Sequence, residues 1–244
     1  MKAVKTTELT KLYGNRRAVD GLNLEIERGE LYSILGVNGA GKTTLIKMLC
    51  CLSRPSEGKA FILGKSVTEQ SEEVKRLINL STQATAVALN LTVEENLRMM
   101  AGIYGMKADE ARQKTEEMIK ALSFEEYKSS RAKTLSGGWR RKLSIAMALI
   151  TQPKILFLDE PTLGLDVLAR RELWKLIQTL KGKMTIILTT HYMEEAQALS
   201  DRIGIMHAGR IIASGTPEQL MISTNTTSIE QAFIELSGGG ADAG

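Results

Sequence analysis

The sequence contains few cysteines, and this shortage excludes two classes of site. Only two cysteines occur, and they are the neighbours Cys50 and Cys51. Adjacent cysteines rarely bridge each other, and the chain has no Cys-x-x-Cys pair. We therefore expect neither a disulfide framework nor a zinc site, and we interpret both cysteines as small residues of the core.

Long hydrophobic runs are also missing. No apolar stretch approaches the roughly 18 residues that a transmembrane helix requires. The first ten residues, MKAVKTTELT, lack the hydrophobic segment of a secretion signal. We therefore expect a cytoplasmic protein that does not span a membrane by itself.

The charge balance shows no strong excess of either sign. The net charge is +4, because 32 basic residues are interleaved with 28 acidic ones. Proteins that bind nucleic acid usually concentrate their basic residues in a stripe, so we expect no nucleic-acid partner. With 244 residues, 43% of them apolar and 25% charged, the chain is long enough for one or two globular domains.

Short apolar runs alternate with segments of helical periodicity along the chain. Strands are predicted over residues 3–12, 18–26, 31–35, 59–63, 155–158 and 184–189, with shorter ones around 202–212. Helices are predicted over residues 42–52, 110–122, 139–150 and 169–180, with another opening at Glu94, and the stretch 72–127 is predicted to be mainly helical. This alternation predicts an α/β fold with a mainly parallel central sheet, to which a β-rich start and a helical middle are added.

The motif GVNGAGKTT follows the strand at 31–35 and opens a helix. This is the context that a phosphate-binding loop requires, because its glycines let successive backbone N–H groups face one anion at a helix N-terminus. Lys42 can reach the β- and γ-phosphates, and the Thr43 hydroxyl can bind Mg²⁺. The sequence therefore predicts a nucleoside-triphosphate site of the P-loop NTPase type, formed by Gly36, Asn38, Gly39, Ala40, Gly41, Lys42, Thr43 and Thr44.

A second motif, ILFLDE, places two acidic residues after a buried strand. The carboxyl ends of strands are where ligands bind in open α/β sheets. Asp159 suits a role at Mg²⁺, and Glu160 suits the general base that polarises the attacking water. A third motif, LSGGW, places Ser136, Gly137 and Gly138 at a helix start, where they can form a second anion cradle.

Together these motifs, in this order, resemble the nucleotide-binding subunit of ABC transporters over about residues 3–220. The resemblance implies that Tyr13 stacks on adenine, that Gln83 touches Mg²⁺ and the attacking water, and that His191 contacts the γ-phosphate. Asp166, in the segment PTLGLD, matches the loop through which two subunits communicate. The expected domain spans residues 1–222 with an antiparallel β subdomain at its start and a helical insert at about 85–150. Residues 223–244 are expected to form a short extension whose last residues are disordered.

The resemblance further implies a head-to-tail dimer of this chain with itself or a related subunit. In such a dimer the phosphate loop of one copy and the LSGG segment of the other enclose the same ATP with Mg²⁺. Transport then requires separate transmembrane permease subunits, and the apolar segment after Gln83 matches the region that grips a cytoplasmic helix of the permease. The segments HYMEEAQALSDRI and IEQAFIEL resemble the drug-, lipid- and antibiotic-export branch, which places the chain on the cytoplasmic face of the membrane.

One residue departs from the family pattern. The glutamine that usually ends the LSGGQ signature is Trp139 here. A bulky indole at this place could change nucleotide affinity or dimer kinetics, and we state this as a hypothesis that the ATPase rate and ATP affinity of Trp139→Gln would test.

Two alternatives stay open from the sequence. A soluble ABC ATPase without a transporter, such as an iron–sulfur assembly scaffold, would carry the same motifs. A generic P-loop kinase or GTPase fits less well, because the chain has no guanine-reading Asn-Lys-x-Asp motif and the LSGG segment would be unexplained. The transported compound is not readable from this chain.

Overall fold

The structure is a computed structural model that describes residues 2–238. In chain order, its strands are β1 (Lys2–Tyr13), β2 (Arg16–Glu27), β3 (Leu31–Leu35), β4 (Glu57–Ile62), β5 (Lys65–Ser66), β6 (Ile78–Ser81), β7 (Ile155–Asp159), β8 (Thr185–Thr190), β9 (Arg202–His207) and β10 (Arg210–Gly215). Its helices are α1 (Lys42–Leu49), α2 (Ser71–Lys75), α3 (Val93–Ile103), α4 (Ala108–Ala121), α5 (Gly137–Leu149), α6 (Val167–Leu180), α7 (Met193–Leu199), α8 (Pro217–Ser223) and α9 (Ile229–Leu236).

The strands form two sheets. The smaller sheet has the order β2-β1-β4-β5 and is antiparallel throughout. The larger one has the order β10-β9-β3-β8-β7-β6, and only its β10–β9 pair is antiparallel. The predicted α/β fold, with a mainly parallel central sheet and an antiparallel β subdomain at the start, is therefore confirmed.

The central strands are apolar because helices or the second sheet cover both of their faces. All five residues of β3, and all five of β7, are buried. Strand β8 lies between them, paired parallel to both. The segments that follow β3, β7 and β8 therefore emerge side by side at one edge of the sheet, and they carry the phosphate loop, Glu160 and His191.

A helical region lies between β6 and β7. Helix α3 begins with a capping box, in which the Thr92 hydroxyl accepts from the Glu95 backbone N–H and the Glu95 carboxylate accepts from the Thr92 N–H. Buried side chains of α3, α4 and α5, including Leu97, Ile119 and Leu143, join one apolar cluster with Leu156. This packing attaches the helical region to the central sheet.

The expectation that residues 72–127 are mainly helical is wrong at β6, which forms the edge of the central sheet beside β7. Its four residues are too few to show the two-residue periodicity of a strand, so pairing with β7 decides its conformation. Helix α1 is also shorter than the predicted 42–52: it ends at Leu49, and Cys51 has φ = 59°, which is incompatible with a continuing right-handed helix.

After β10 the chain forms α8 and α9. Ile229 and Phe233 of α9 pack with Leu35, Ala196 and Leu220 in a third apolar cluster. The end of the chain, for which disorder is predicted, lies almost entirely outside the described residues. Within residues 2–238 no helix combines the length and the apolar character needed to cross a membrane.

Candidate nucleotide site

The loop between β3 and α1 is shaped by close backbone approaches. Gly41 precedes α1 with φ = 107°, and a Cβ atom there would lie 2.2 Å from the Ala18 carbonyl oxygen. Only glycine fits such a position. No side chain among the described residues caps α1, so its first backbone N–H groups are free to bind an anion.

Lys42 is held inside this loop. Its Nζ donates to the Gly36 carbonyl oxygen at 2.7 Å and to that of Val37 at 3.2 Å. The same ammonium forms an ion pair with Glu160 Oε1 at 3.1 Å, although both side chains are about 95% buried. Two buried charges of opposite sign therefore neutralise each other at the place where a phosphate would bind.

Glu160 lies immediately after β7 in a left-handed conformation, with φ = 48°. Its backbone N–H donates to both the carbonyl and the hydroxyl oxygen of Thr189, at 3.1 Å each, which anchors this conformation to β8. The second carboxylate oxygen, Oε2, lies 2.6 Å from Nδ1 of His191. Glu160 thus bridges Lys42 and His191.

Asp159 is positioned one residue earlier. Its Oδ1 accepts from the hydroxyls of Thr189 at 2.6 Å and Thr43 at 3.2 Å. Mg²⁺ in nucleotide sites is usually held by one or two protein oxygens together with phosphate oxygens and waters. Thr43 and Asp159 supply oxygen ligands of this kind, so the residues present fit a magnesium–nucleotide complex.

These groups surround a cavity of about 580 Å³. It is lined by Tyr13, Arg16, Ala18, Asn38, Gly39, Ala40, Gly41, Lys42, Thr43, Thr44, Gln83, Glu160, Leu163 and His191. The structure therefore brings together most of the sequence-predicted residues. Gly36 and Asp159 lie behind the lining and contact it through Lys42 and Thr43.

Four predicted residues lie elsewhere in the chain. The Ser136 hydroxyl caps α5 by accepting from the Trp139 backbone N–H at 3.4 Å, and Gly137 and Gly138 form the first turn of that helix. Ser136 and Gly138 line a separate cavity of about 140 Å³, whereas Gly137 lines another of about 370 Å³. Asp166 caps α6, its Oδ1 accepting from the Ala169 N–H at 2.9 Å.

The nucleotide site lies within a region that matches a known protein family. A family model described as "ABC transporter" matches residues 19–163. The chain belongs to the ABC transporter family. It carries the ATP-binding domain of that family.

Relatives of this ABC transporter domain include ATP-binding proteins named for drug resistance and for multidrug transport. It is 42% identical over 223 residues to the daunorubicin/doxorubicin resistance ATP-binding protein DrrA of Streptomyces peucetius, covering 91% of this chain and 68% of that protein. It is 39% identical over 239 residues to the probable multidrug ABC transporter ATP-binding protein YbhF of Escherichia coli, covering 96% of this chain. The chain spans only 41% of the length of YbhF.

A solved structure supports the assignment of this chain to the ABC transporter family. It is a dimeric post-hydrolysis state of an ATP-binding cassette with ADP and Pi. The two chains are 28% identical with a TM-score of 0.77, over 87% of this chain and 98% of the other. Family membership excludes the generic P-loop kinase or GTPase that the sequence had left open.

The ABC signature ends in Trp139, whose indole is packed within the helical region. Its ring lies 5.2 Å from that of Phe124 and 4.4 Å from that of Tyr127, and the Lys142 ammonium sits 4.3 Å above it. The side chain thus has a packing role that the sequence motif did not reveal.

Sequence reasoning missed four residues at or behind the nucleotide cavity. Arg16, Ala18 and Leu163 line it, and the Arg16 guanidinium donates to the Gly39 carbonyl oxygen at 3.4 Å. Arg16 directly follows Gly14 and Asn15, residue types typical of a turn, and this was the available signal. The fourth is Arg141, which hydrogen-bonds the segment containing Gln83.

Proposed function

We propose that this chain hydrolyses ATP as the cytoplasmic subunit of a transporter that exports its substrate through separate membrane subunits. The observation that carries the proposal is the convergence of Lys42, Glu160 and His191 beside an uncapped helix N-terminus. The printed names of its relatives, which refer to multidrug transport and to daunorubicin and doxorubicin resistance, support export of drug-like compounds.

The Lys42–Glu160 ion pair suggests how the site responds to nucleotide. A bound γ-phosphate offers Lys42 a stronger anionic partner, and this frees Glu160 Oε1 to accept a proton from the attacking water. His191 keeps Glu160 oriented through Oε2, and Gln83 lies at the cavity wall, where it can hold the water. When bound, Mg²⁺ neutralises charge on the transferred phosphoryl group, and Thr43, Asp159 and Gln83 are the residues that would hold it.

The second anion cradle supports the head-to-tail dimer. Ser136, Gly137 and Gly138 do not line the cavity that contains Lys42 in the described chain, so they are free to meet a nucleotide bound by another copy or by a related subunit. Asp166, which caps α6, directly follows Leu165, and a methyl group of Leu165 lies beside Gly137. In the proposed dimer ATP is enclosed by Tyr13 and the phosphate loop of one copy and by the cradle of the other.

An exposed apolar surface supports a membrane partner. Leu52 and Tyr104 are 63% and 46% exposed, and both line one shallow cavity with Ile78 and Leu80. Contiguous apolar surface of this kind marks an interaction site. We propose that it receives a short cytoplasmic helix of a permease, which would hold the chain on the cytoplasmic face of the membrane.

The proposal is tested with Glu160→Gln, measured by size exclusion with light scattering with and without Mg·ATP. We expect ATP to convert this variant from monomer to dimer, with hydrolysis reduced about 10²–10⁴-fold because the base is missing. Glu194→Gln, which alters an exposed carboxylate on α7, is the matched control and should hydrolyse ATP like the natural chain. Rapid hydrolysis by Glu160→Gln would contradict the proposal, and a variant that binds Mg·ATP but stays monomeric would indicate a dimer with a related subunit.

The non-transport alternative is tested separately, by co-expression with a membrane protein encoded beside this chain. Tyr104→Glu should lose co-purification with that protein while still binding ATP. Ile222→Glu, an exposed position on α8 outside the apolar surface, should retain it. Co-purification that both variants retain would place the permease contact outside this apolar surface, whereas a natural chain that does not co-purify at all would favour a soluble ABC ATPase.

A further inference from the structure

Arg141, in the second turn of α5, is a buried cation whose partners are backbone groups. Its side chain is only 4% exposed. One guanidinium nitrogen, Nη1, donates to the Thr82 carbonyl oxygen at 2.6 Å. The other, Nη2, donates to the carbonyl of Gln83 at 2.7 Å and makes a longer contact of 3.5 Å with that of Glu160.

Burying a guanidinium in this way is costly, because the charged group loses its hydration. Desolvation lowers the pKa of Arg141, against the opposing influence of Asp159 and Glu195. Among the residues that the structure describes, no carboxylate forms an ion pair with Arg141. The carbonyl dipoles compensate its charge. The hydrogen bonds to Thr82 and Gln83 therefore offset the desolvation cost of burying the guanidinium.

Arg141 and its partners belong to three separate segments of the candidate site. Thr82 and Gln83 follow β6, Glu160 follows β7, and Arg141 itself lies on the helix that begins at the Ser136–Gly138 cradle. A second hydrogen bond joins the same helix to β6, between the hydroxyls of Ser81 and Ser144 at 3.0 Å. By contrast, Thr82–Val87 form no helix or strand, so their shape depends on such contacts.

The planar fork of arginine suits this task. Its two terminal nitrogens point in fixed directions and can hold two adjacent carbonyls at once, whereas the lysine ammonium is a single point of attachment on a flexible stem. Without Arg141, the carbonyls of Thr82 and Gln83 could turn towards solvent, because this segment lies at the surface. Loss of the fork is therefore expected to loosen the segment rather than to unfold the chain.

We propose that Arg141 is a positioning residue that sets the Gln83 segment against α5 and against the Glu160 peptide. It does not line the cavity that contains Lys42; it acts by holding Gln83 at the wall of that cavity. The same side chain thereby joins the wall of one anion site to the helix that carries the other. The consequence for catalysis rests on the proposed ATP hydrolysis, whereas the structural role of Arg141 does not.

Hydrogen exchange of the nucleotide-free chain, read by mass spectrometry over peptides covering residues 82–87, tests the structural role. In Arg141→Met, which keeps the length of the side chain and removes the fork, we expect exchange of this segment to be about tenfold faster or more. Arg141→Lys should restore only part of the protection. Arg112→Met, the same change at an exposed position of α4, should exchange like the natural chain.

Kinetics provide the second readout. Arg141→Met should lower kcat about tenfold or more while the Kd for a fluorescent ATP analogue stays within about twofold, because the residues that bind phosphate are untouched. Unchanged exchange at residues 82–87, or faster exchange spread evenly over the chain, would overturn the positioning role. If the natural chain hydrolyses no ATP while Arg141→Met still loosens only this segment, the positioning role stands and the proposed function fails.

Discussion

At the residue scale, the region around the nucleotide cavity buries a carboxyl group that the proposed chemistry does not use. Glu195 of α7 is fully buried, and its Oε1 accepts from the indole N–H of Trp174 on α6 at 3.0 Å. Burial raises the pKa of Glu195, and the negative charge of Glu160 acts in the same direction. Folding therefore shifts the protonation equilibrium of Glu195 towards its neutral form, relative to the unfolded chain.

We expect the stability of the chain to reflect this raised pKa. A carboxyl whose pKa is raised by folding contributes stability that is complete below its unfolded pKa of about 4.3 and is lost as the pH rises through the folded pKa. Glu195→Gln is neutral at every pH and keeps an oxygen for Trp174. Its melting temperature should match that of the natural chain near pH 4 and exceed it by an increasing margin towards pH 8.

The control for this prediction is Glu194→Gln, which neutralises the exposed neighbouring carboxylate. Thermal unfolding is followed by circular dichroism across the pH range for all three chains. Parallel curves for Glu195→Gln and the natural chain would mean that Glu195 is not penalised by its burial.

At the scale of elements, the helical region depends on an aromatic cluster built around the end of the signature motif. Trp139 contacts Phe124 and Tyr127, which precede α5 in the chain, and Lys142 on the same helix covers the indole face. Aromatic pairs and cation–π contacts of this kind add to the area that the rings bury. The indole therefore stabilises the packing of α5 against the segment before it.

Trp139→Gln should consequently lower the free energy of unfolding by about 2 kcal/mol, measured by urea denaturation. Trp139→Phe keeps a ring in the cluster and should lose less. The affinity for ATP should change little in either variant. An unchanged stability together with an altered ATP affinity would instead support the hypothesis that the indole acts on the nucleotide.

At the scale of the whole molecule, two neighbouring glycines have different roles. One is needed for packing within the single chain, and the other is needed only for the proposed dimer. A Cβ atom at Gly138 would lie 2.8 Å from that of Ala169 on α6. A Cβ at Gly137 would meet nothing closer than a Leu165 methyl group at 3.9 Å. Gly138 thus allows α5 to pack on α6, whereas the space at Gly137 has no use within the single chain.

We therefore expect opposite outcomes from two identical substitutions made in the Glu160→Gln background. Gly138→Ala should lower the free energy of unfolding by about 1–3 kcal/mol, because the added methyl group overpacks the helix contact. Gly137→Ala should unfold within about 0.5 kcal/mol of the parent but lose its ATP-dependent dimer, since the methyl group would occupy the place of the other copy's phosphates. A Gly137→Ala chain that still dimerises would contradict the head-to-tail arrangement.

The elements best predicted from sequence were those whose conformation is set by residues close to them in the chain. Strands β3 and β7 were predicted almost residue for residue, because short and largely apolar runs end at Gly36 and at the acidic pair Asp159-Glu160. The four residues of β6 were predicted incorrectly, since their strand conformation comes from pairing with β7 across a long stretch of intervening chain. The phosphate-loop and acidic motifs, with the family resemblance that adds His191, predicted a shared site, but not the ion pair between Lys42 and Glu160.

The sequence by itself determined the phosphate loop, the acidic pair after β7 and the order of the motifs, because each depends on residue types within a few positions of one another. Only the tertiary structure decided that Glu160 neutralises Lys42 and that Trp139 packs in an aromatic cluster. It also decided that Arg141 holds the carbonyls of Thr82 and Gln83. Those contacts join residues that are far apart in the chain. Whether such residues meet in space depends on the strand order of the sheet and on where the helices pack on it.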